Sequence, residues 1–363
     1  MLRPGALGDT LLALPALRAL RAIWPDAELT LAAHRAAAQL LAGCGEVDVG
    51  LGFEDASLAW LWTPLRGLDT PGRPRGGAPE CVQPPDTVVG WLTDAEDRLR
   101  RLLAARRVRR VLLAPSRPAS ADCHVARYLW ETLAPLARPL PAFDPGPLGP
   151  GGAGEAARRP RSDRGAADEH DQARRPTTHT ALVPPRVDAG MTEGGASKMV
   201  EPGHNVSRAA AEDGDGAPGG QVAAAGAVLL HPGSGSARKN WPAGRFAAVA
   251  EMLLARGAQV RLAVGEADVE AAERVEQALG QPLSRVTEPS LGELARLLAG
   301  CRAYLGNDSG VSHLAGLVGA PTFALFGPTD PRQWQPLGPR VTVLPFDTSP
   351  AAVASALLAA QRR

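Results

Sequence analysis

From Cys301 to Trp334 the chain reads CRAYLGNDSGVSHLAGLVGAPTFALFGPTDPRQW, and few folds accommodate such a stretch. Ala303 to Leu305 is short and apolar, Gly306 to Gly310 must turn sharply, Val311 to Val318 has helical spacing, and Pro321 to Phe326 is apolar again. Strand, turn, helix and strand in that order make a parallel βα unit, whose loops open on one edge of the sheet. The turn ends where a helix begins. Ser309 and Gly310 can offer unpaired backbone N–H groups there to an anion, at the positive end of the helix dipole. Asp308 is placed either to cap that helix or to contact a ligand beside it.

The same alternation runs through the second half. Strands are expected at Ala227–His231, Gln259–Val264, Ser284–Thr287, Ala303–Leu305, Thr322–Phe326 and Arg340–Leu344. Helices are expected at Ala243–Arg256, Ala267–Leu279, Leu291–Gly300 and Val311–Val318. That order predicts a doubly wound parallel sheet. Pro350–Arg363 reads as a last helix able to pack on either domain. After the first of these strands comes HPGSGSARKNWP, from His231 to Pro242. Gly233 and Gly235 free the backbone for close approach, Ser234 and Ser236 add hydroxyls, and Lys239 adds a point charge suited to phosphate or simply to solvent. Trp241 reads as core or as a lid over this loop. Two helix starts, near Ser234 and Ser309, then face one crevice above the strand ends, a geometry suited to a nucleoside diphosphate. Glu266 follows the second strand, where an acid can accept from ribose hydroxyls or merely open a helix. His313 lies within its helix, either reaching the ligand or packing.

The first half begins with RPGALGDTLLALPALRAL from Arg3. Gly5 and Gly8 make a loop, and Leu11, Leu14, Leu17 and Leu20 recur at helical spacing with Arg18 and Arg21 opposite them. Pro15 should kink this helix or mark its true first turn. Asp9, ahead of the apolar periodicity, suits a helix cap or a catalytic carboxylate. Only Met1 and Leu2 precede the loop, so the strand that normally feeds a βα unit is expected to be missing. Further strands are expected at Glu28–Ala33, Val47–Phe53, Thr87–Trp91 and Val108–Ala114. Helices are expected over Asp94–Arg107 and Cys123–Leu136, with a Pro- and Gly-rich loop over residues 63–86.

Between Asp144 and Gly226 the composition shifts to Gly, Ala, Pro, Arg and Asp, without an aromatic residue. Such a segment buries too little apolar surface to offset its ordering entropy and reads as a disordered insertion. The predicted organisation is therefore a domain over 1–143, an insertion over 144–226 and a second domain over 227–363. Basic and acidic residues nearly cancel, 39 against 38 in 363 residues, which argues against nucleic acid as a partner. Cys44, Cys81, Cys123 and Cys301 show neither metal-ligand nor disulfide spacing, which fits a reducing, cytoplasmic setting. The apolar stretch from Leu11 to Leu20 lacks the charge pattern and cleavage site of a leader, and no run of ~20 apolar residues predicts a membrane span.

Taken together, RPGALGDTLLALPALRAL, HPGSGSARKNWP, LGELARLLAGCRAYLGNDSGVSHLAG and PTFALFGPTDPRQWQPLG resemble glycosyltransferase family 9, the heptosyltransferase family. The resemblance implies an α/β chain of GT-B fold, with two Rossmann-like doubly wound domains facing a cleft. It implies a C-terminal domain binding a nucleotide-sugar donor, ADP-heptose above all, and an N-terminal domain presenting a glycan or glycolipid acceptor of lipopolysaccharide type. By motif position Asp9 becomes the general base, flanked by Gly8 and Thr10 in the acceptor-side loop, and Lys239 the partner of the leaving diphosphate. Ser234, Gly235, Ser236, Glu266, Asp308, Ser309, Gly310 and His313 become donor contacts. An inverting transfer with no metal and no cofactor besides the donor follows. A lipid-linked acceptor would bring the chain to the cytoplasmic face of the inner membrane, with Arg98 to Arg110 as the segment to test. Two other readings share these motifs: a degenerate, non-catalytic nucleotide-sugar-binding protein, and a GT-B nucleotide-sugar epimerase.

Overall fold

The computed structural model describes residues 1–61, 84–149 and 226–360. Residues 150–225 of the expected 144–226 insertion, and most of the expected 63–86 loop, lie outside the described residues. The described residues all fall within one compact unit, in which the chain folds as two α/β halves.

In the N-terminal half the chain runs through α1 (Leu7–Leu11), α2 (Leu14–Ile23), β1 (Thr30–Ala33), α3 (Arg35–Gly43), β2 (Val49–Gly52), β3 (Thr87–Trp91), α4 (Arg98–Ala105), β4 (Arg110–Ala114) and α5 (Val125–Glu131). The leucine periodicity belongs to two helices rather than one, and Pro15 sits in the first turn of α2, where its missing N–H costs nothing. β1 pairs with β2 and β3 with β4, both in parallel. The strand expected to be missing is present as a stub. Leu2 bridges Ala32 on one side and Gly90 on the other, in parallel with both. Its N–H donates to Val89 O at 2.9 Å, its carbonyl accepts from Trp91 N at 2.9 Å, and Arg3 N donates to Ala32 O at 2.8 Å. Three extended residues thus fill the central slot between β1 and β3, too few to leave a periodicity in the sequence.

The C-terminal half runs through β5 (Val228–His231), α6 (Ala243–Leu254), β6 (Val260–Val264), α7 (Val269–Leu279), β7 (Ser284–Thr287), α8 (Leu291–Gly300), β8 (Ala303–Asn307), α9 (Gly310–Leu317), β9 (Thr322–Phe326), α10 (Pro331–Trp334), β10 (Val341–Pro345) and α11 (Pro350–Ala359). Its six strands are parallel in the order β10-β9-β8-β5-β6-β7. The chain winds outward from β5 through β6 to β7, then crosses to β8 and winds the other way. The loops after β5 and β8 therefore part at the switch point, where such sheets bind ligands. β5, β8 and β9 are buried at every residue, as strands covered on both faces must be. Trp241 is core, edge-on to Phe246 at 5.4 Å with its indole N–H on Phe346 O at 2.8 Å. α11 packs on this half: Val353, Ala354 and Leu357 join its apolar cluster.

A second apolar cluster joins the halves, running from Leu11, Leu14, Leu17 and Leu20 through Leu129 to Leu294, Leu298, Leu314 and Leu317. The start of the expected insertion is tied into it. Arg18 donates to the carbonyls of Gly146 and Pro147, each at 3.0 Å, and Leu148 N donates to Leu317 O at 2.7 Å. Among the described residues no helix is long and apolar enough to cross a membrane.

Candidate active site

The stub strand delivers Arg3, Pro4 and Gly5 to the start of α1. Gly5 has φ +143°, open only to glycine, and an added Cβ there would stand 2.8 Å from Asp9 Cβ. Ala6 rather than Asp9 is the N-cap. Asp9 is the third helical residue, and its Oδ2 reaches back to accept Ala6 N at 3.0 Å. Arg3, 1% exposed, donates from Nε to Asp9 O at 3.1 Å and from Nη2 to Asp9 Oδ1 at 3.3 Å. Burial lowers the Arg3 guanidinium below its ordinary value, and the Asp9 carboxylate opposes that shift. Asp9 keeps 30% of its side chain exposed, so it is both a structural anchor and a group that can meet a ligand. Thr10 is fully buried and faces away from solvent, its Oγ1 accepting His34 N at 3.3 Å to hold the end of β1.

The tip of α1 meets the tip of α9. A Cβ on Gly8 would stand 2.8 Å from His313 Cδ2, and one on Gly310 2.7 Å from Leu7 Cβ. Glycine on each helix allows this contact. His313 is buried, its Nδ1 lacks a hydrogen-bond partner, and its pKa is pushed down to about 4. Burial is the main cause; His124 and Lys239 add to it, while Asp308 and Asp9 oppose it. The imidazole is therefore neutral near pH 7.

In the C-terminal half the turn after β8 gathers the loops around it. Asn307, fully buried, accepts Trp241 N at 2.9 Å and donates to Pro232 O at 2.8 Å, fixing the whole loop after β5. Asp308 Oδ2 accepts from Lys239 Nζ at 2.8 Å and from Thr329 Oγ1 at 2.7 Å. Ser309 is the N-cap of α9, accepting Ser312 N at 3.4 Å. Ser234 Oγ serves its own loop, 2.6 Å from Asn240 Oδ1 and accepting Ser236 N at 3.3 Å, while Gly235 and Ser236 are exposed at the loop's crest. Glu266 is exposed in the single turn Glu266–Asp268. The acid of that turn which points inward is Asp268, on His231 Nε2 at 3.0 Å.

The structure thus brings Asp308, Ser309, Gly310, His313 and Lys239 together with Gly8 and Asp9, while Glu266 and Thr10 take other places. Sequence reasoning missed Arg3, His231, Asp268, Asn307 and Thr329. Only two carried a signal: His231 ends a buried strand, and Asp268 stands three residues after Gly265, whose N–H it accepts at 3.1 Å. On the far side of Gly5, the neighbour of Asp9, a cavity of about 500 Å³ opens at the ends of the first strands, lined by Gly5, His34, Arg35, Gln39, Phe53 and Glu54 among others. Arg35 Nε donates to Glu54 Oε1 at 2.8 Å across its wall.

Residues 198–356 match the family model for glycosyltransferase family 9 (heptosyltransferase). Among curated relatives, lipooligosaccharide heptosyltransferase 2 of Haemophilus influenzae is 36% identical over 111 residues, which is 29% of this chain and 32% of that protein. Lipopolysaccharide heptosyltransferase 1 of Pseudomonas aeruginosa is 39% identical over 105 residues, 29% of each chain. The matched stretch spans about a third of the length of these relatives. Among solved structures, ADP-heptose lps heptosyltransferase II of E. coli superposes with a TM-score of 0.58 at 17% identity, covering 99% of this chain and 96% of that one. E. coli heptosyltransferase WaaC with ADP gives 0.56 at 15% identity, covering 98% and 97%. These solved structures thereby share with the described residues the GT-B architecture of two Rossmann-like halves.

Proposed function

We propose that this chain, whose residues 198–356 belong to glycosyltransferase family 9, is an inverting, metal-independent glycosyltransferase that moves heptose from ADP-heptose to a glycan of lipopolysaccharide type. The observation that carries the proposal is the meeting of α1 and α9, which sets the partly exposed Asp9 carboxylate of one half near the N–H-rich turn of the other, with Lys239 seated on Asp308 beside it. The E. coli neighbour solved with ADP supports the choice of adenine nucleotide.

In this reading the diphosphate lies between Lys239 and the first turn of α9, and the acceptor enters the cavity beside Gly5. Asp9 takes the proton of the attacking hydroxyl, and the sugar inverts as the bond to the diphosphate breaks. Arg3 holds the carboxylate through Oδ1 and stabilises its charge. Lys239 and the α9 N–H groups stabilise charge growing on the leaving group, roughly 3 kcal/mol for each well-placed donor. His313, neutral, contributes a dipole rather than a charge. A lipid-linked acceptor would place the enzyme at the cytoplasmic face of the inner membrane, where the exposed Arg98, Arg100 and Arg101 of α4 could meet anionic headgroups.

The degenerate reading drew its support from an absent first strand. Leu2 bridging in that slot and Arg3 seated on Asp9 weigh against it. Calorimetric titration with ADP, UDP and GDP of the native chain and of Lys239→Ala tests the proposal. Selective ADP binding that weakens in the variant is expected. Binding of UDP or GDP in its place would replace the donor, and ADP release from ADP-heptose without any acceptor dependence would reject glycosyl transfer.

A further inference from the structure

His231 and Asp268 stand behind the proposed donor site, and together they join three of its loops. His231 ends β5 and is 3% exposed. Its Nε2 lies 3.0 Å from Asp268 Oδ2, and its Nδ1 lies 3.4 Å from Ser309 Oγ. Asp268 is itself held, since Oδ2 also accepts Gly265 N at 3.1 Å. Gly233 passes so close that a Cβ would fall 1.7 Å from Asp268 Oδ1, so only glycine at 233 leaves the carboxylate its place.

We infer that His231 and Asp268 are positioning residues for the donor diphosphate: Asp268 fixes the imidazole tautomer, the imidazole orients the Ser309 hydroxyl, and Ser309 fixes the first turn of α9. The inference rests on the donor reading above. A carboxylate only accepts hydrogen bonds, so Nε2 carries a proton, and in the singly protonated ring Nδ1 presents a lone pair. Ser309 then donates its O–H to Nδ1 and keeps its lone pairs for Ser312 N, the capping bond that sets where the free N–H groups of α9 point. The opposite tautomer would place an N–H against Ser309 Oγ, compete with Ser312 for the same lone pairs and turn the hydroxyl outward. Burial opposes ionisation of Asp268, but the hydrogen bonds from His231 and Gly265 hold it below the usual carboxylate range. Replacing a carboxylate by its amide behind a functional histidine is costly for this reason: the ring can take the wrong tautomer with its geometry intact.

The test combines imidazole ¹⁵N spectroscopy of the native chain with ADP titration of Asp268→Asn, Ser309→Ala, their double variant and Lys239→Ala. The native spectrum should show the His231 ring protonated at Nε2 alone. Each single variant should bind ADP about tenfold more weakly, the loss of one well-placed hydrogen bond, and the double variant no more weakly than either single one, because both interrupt one relay. A native ring protonated at Nδ1 overturns the inference without reference to any ligand. Losses that add in the double variant overturn it too, as does native-like ADP binding by Asp268→Asn while Lys239→Ala has lost it. ADP that binds neither the native chain nor any variant rejects the donor reading and this inference with it.

Discussion

Gly8 of α1 and His313 of α9 touch across the two halves so closely that one added methyl group would stand 2.8 Å from the imidazole Cδ2. Because His313 is buried and hemmed in by the neighbouring helix tip, the ring cannot simply swing away. Gly8→Ala should therefore cost ~1–3 kcal/mol, the usual penalty for overpacking a close contact. A chemical denaturation midpoint checks it. Gly310→Ala meets Leu7 in the same way and should behave alike, whereas Gly235→Ala, with open space at its Cβ, should leave the midpoint unchanged.

Asp9 carries two duties that a pair of variants can separate. Asp9→Asn keeps an oxygen for Ala6 N, so the start of α1 should survive, but it removes the proposed proton acceptor. Turnover should fall about 10²–10⁴-fold with ADP affinity nearly unchanged. Asp9→Ala should in addition lower stability by ~1–3 kcal/mol, since it leaves the buried Arg3 guanidinium without its carboxylate. Equal turnover of Asp9→Asn and the native chain would remove Asp9 from the chemistry.

How much of this was legible in the sequence depends on range. The strands of the C-terminal half lie within two residues of their expected positions, because fully buried parallel strands must be short apolar runs and Gly or Pro punctuates them. The Met1–Arg3 stub was illegible, since its place comes from hydrogen bonds to Val89, Ala32 and Trp91, far along the chain. The helix expected over Asp94–Arg107 starts only at Arg98, because Glu96 and Asp97 adopt positive φ and the Asp94 carboxylate accepts from Leu99 N instead. In the site, Asp308 and Lys239 could be named because turn residues with charges are conspicuous. Their partnership could not, and neither could Thr329 joining it, because loops from three strands meet there by topology rather than by spacing.

Lys239 shares Asp308 Oδ2 with Thr329 and keeps about a third of its side chain exposed. Asp308 is only 7% exposed, so taking away Lys239 leaves a buried carboxylate held by Thr329 alone, a loss of ~1–3 kcal/mol. Lys239→Ala should therefore lower the melting temperature measurably while weakening ADP binding about tenfold or more. The weakening should shrink as salt is raised, because screening already erodes the native contact. Thr329→Val should weaken ADP binding less, as it removes a hydroxyl from Asp308 and no charge.

His313 makes stability depend on pH in a defined window. Its pKa is about 4 in the folded chain, below its ordinary value of 6.5, because burial disfavours the charged ring. The unfolded chain therefore binds the extra proton between those values, and the contribution of the neutral buried ring is complete above pH 6.5 and lost as pH falls toward 4. The full swing is on the order of 3 kcal/mol. Urea midpoints of the native chain measured from pH 7.5 down to 4.5 should fall across this window. In His313→Gln, which fills similar space without titrating, the fall should be shallower. A native midpoint that stays flat to pH 4.5 would mean that the ring is protonated as readily in the folded chain as in the unfolded one.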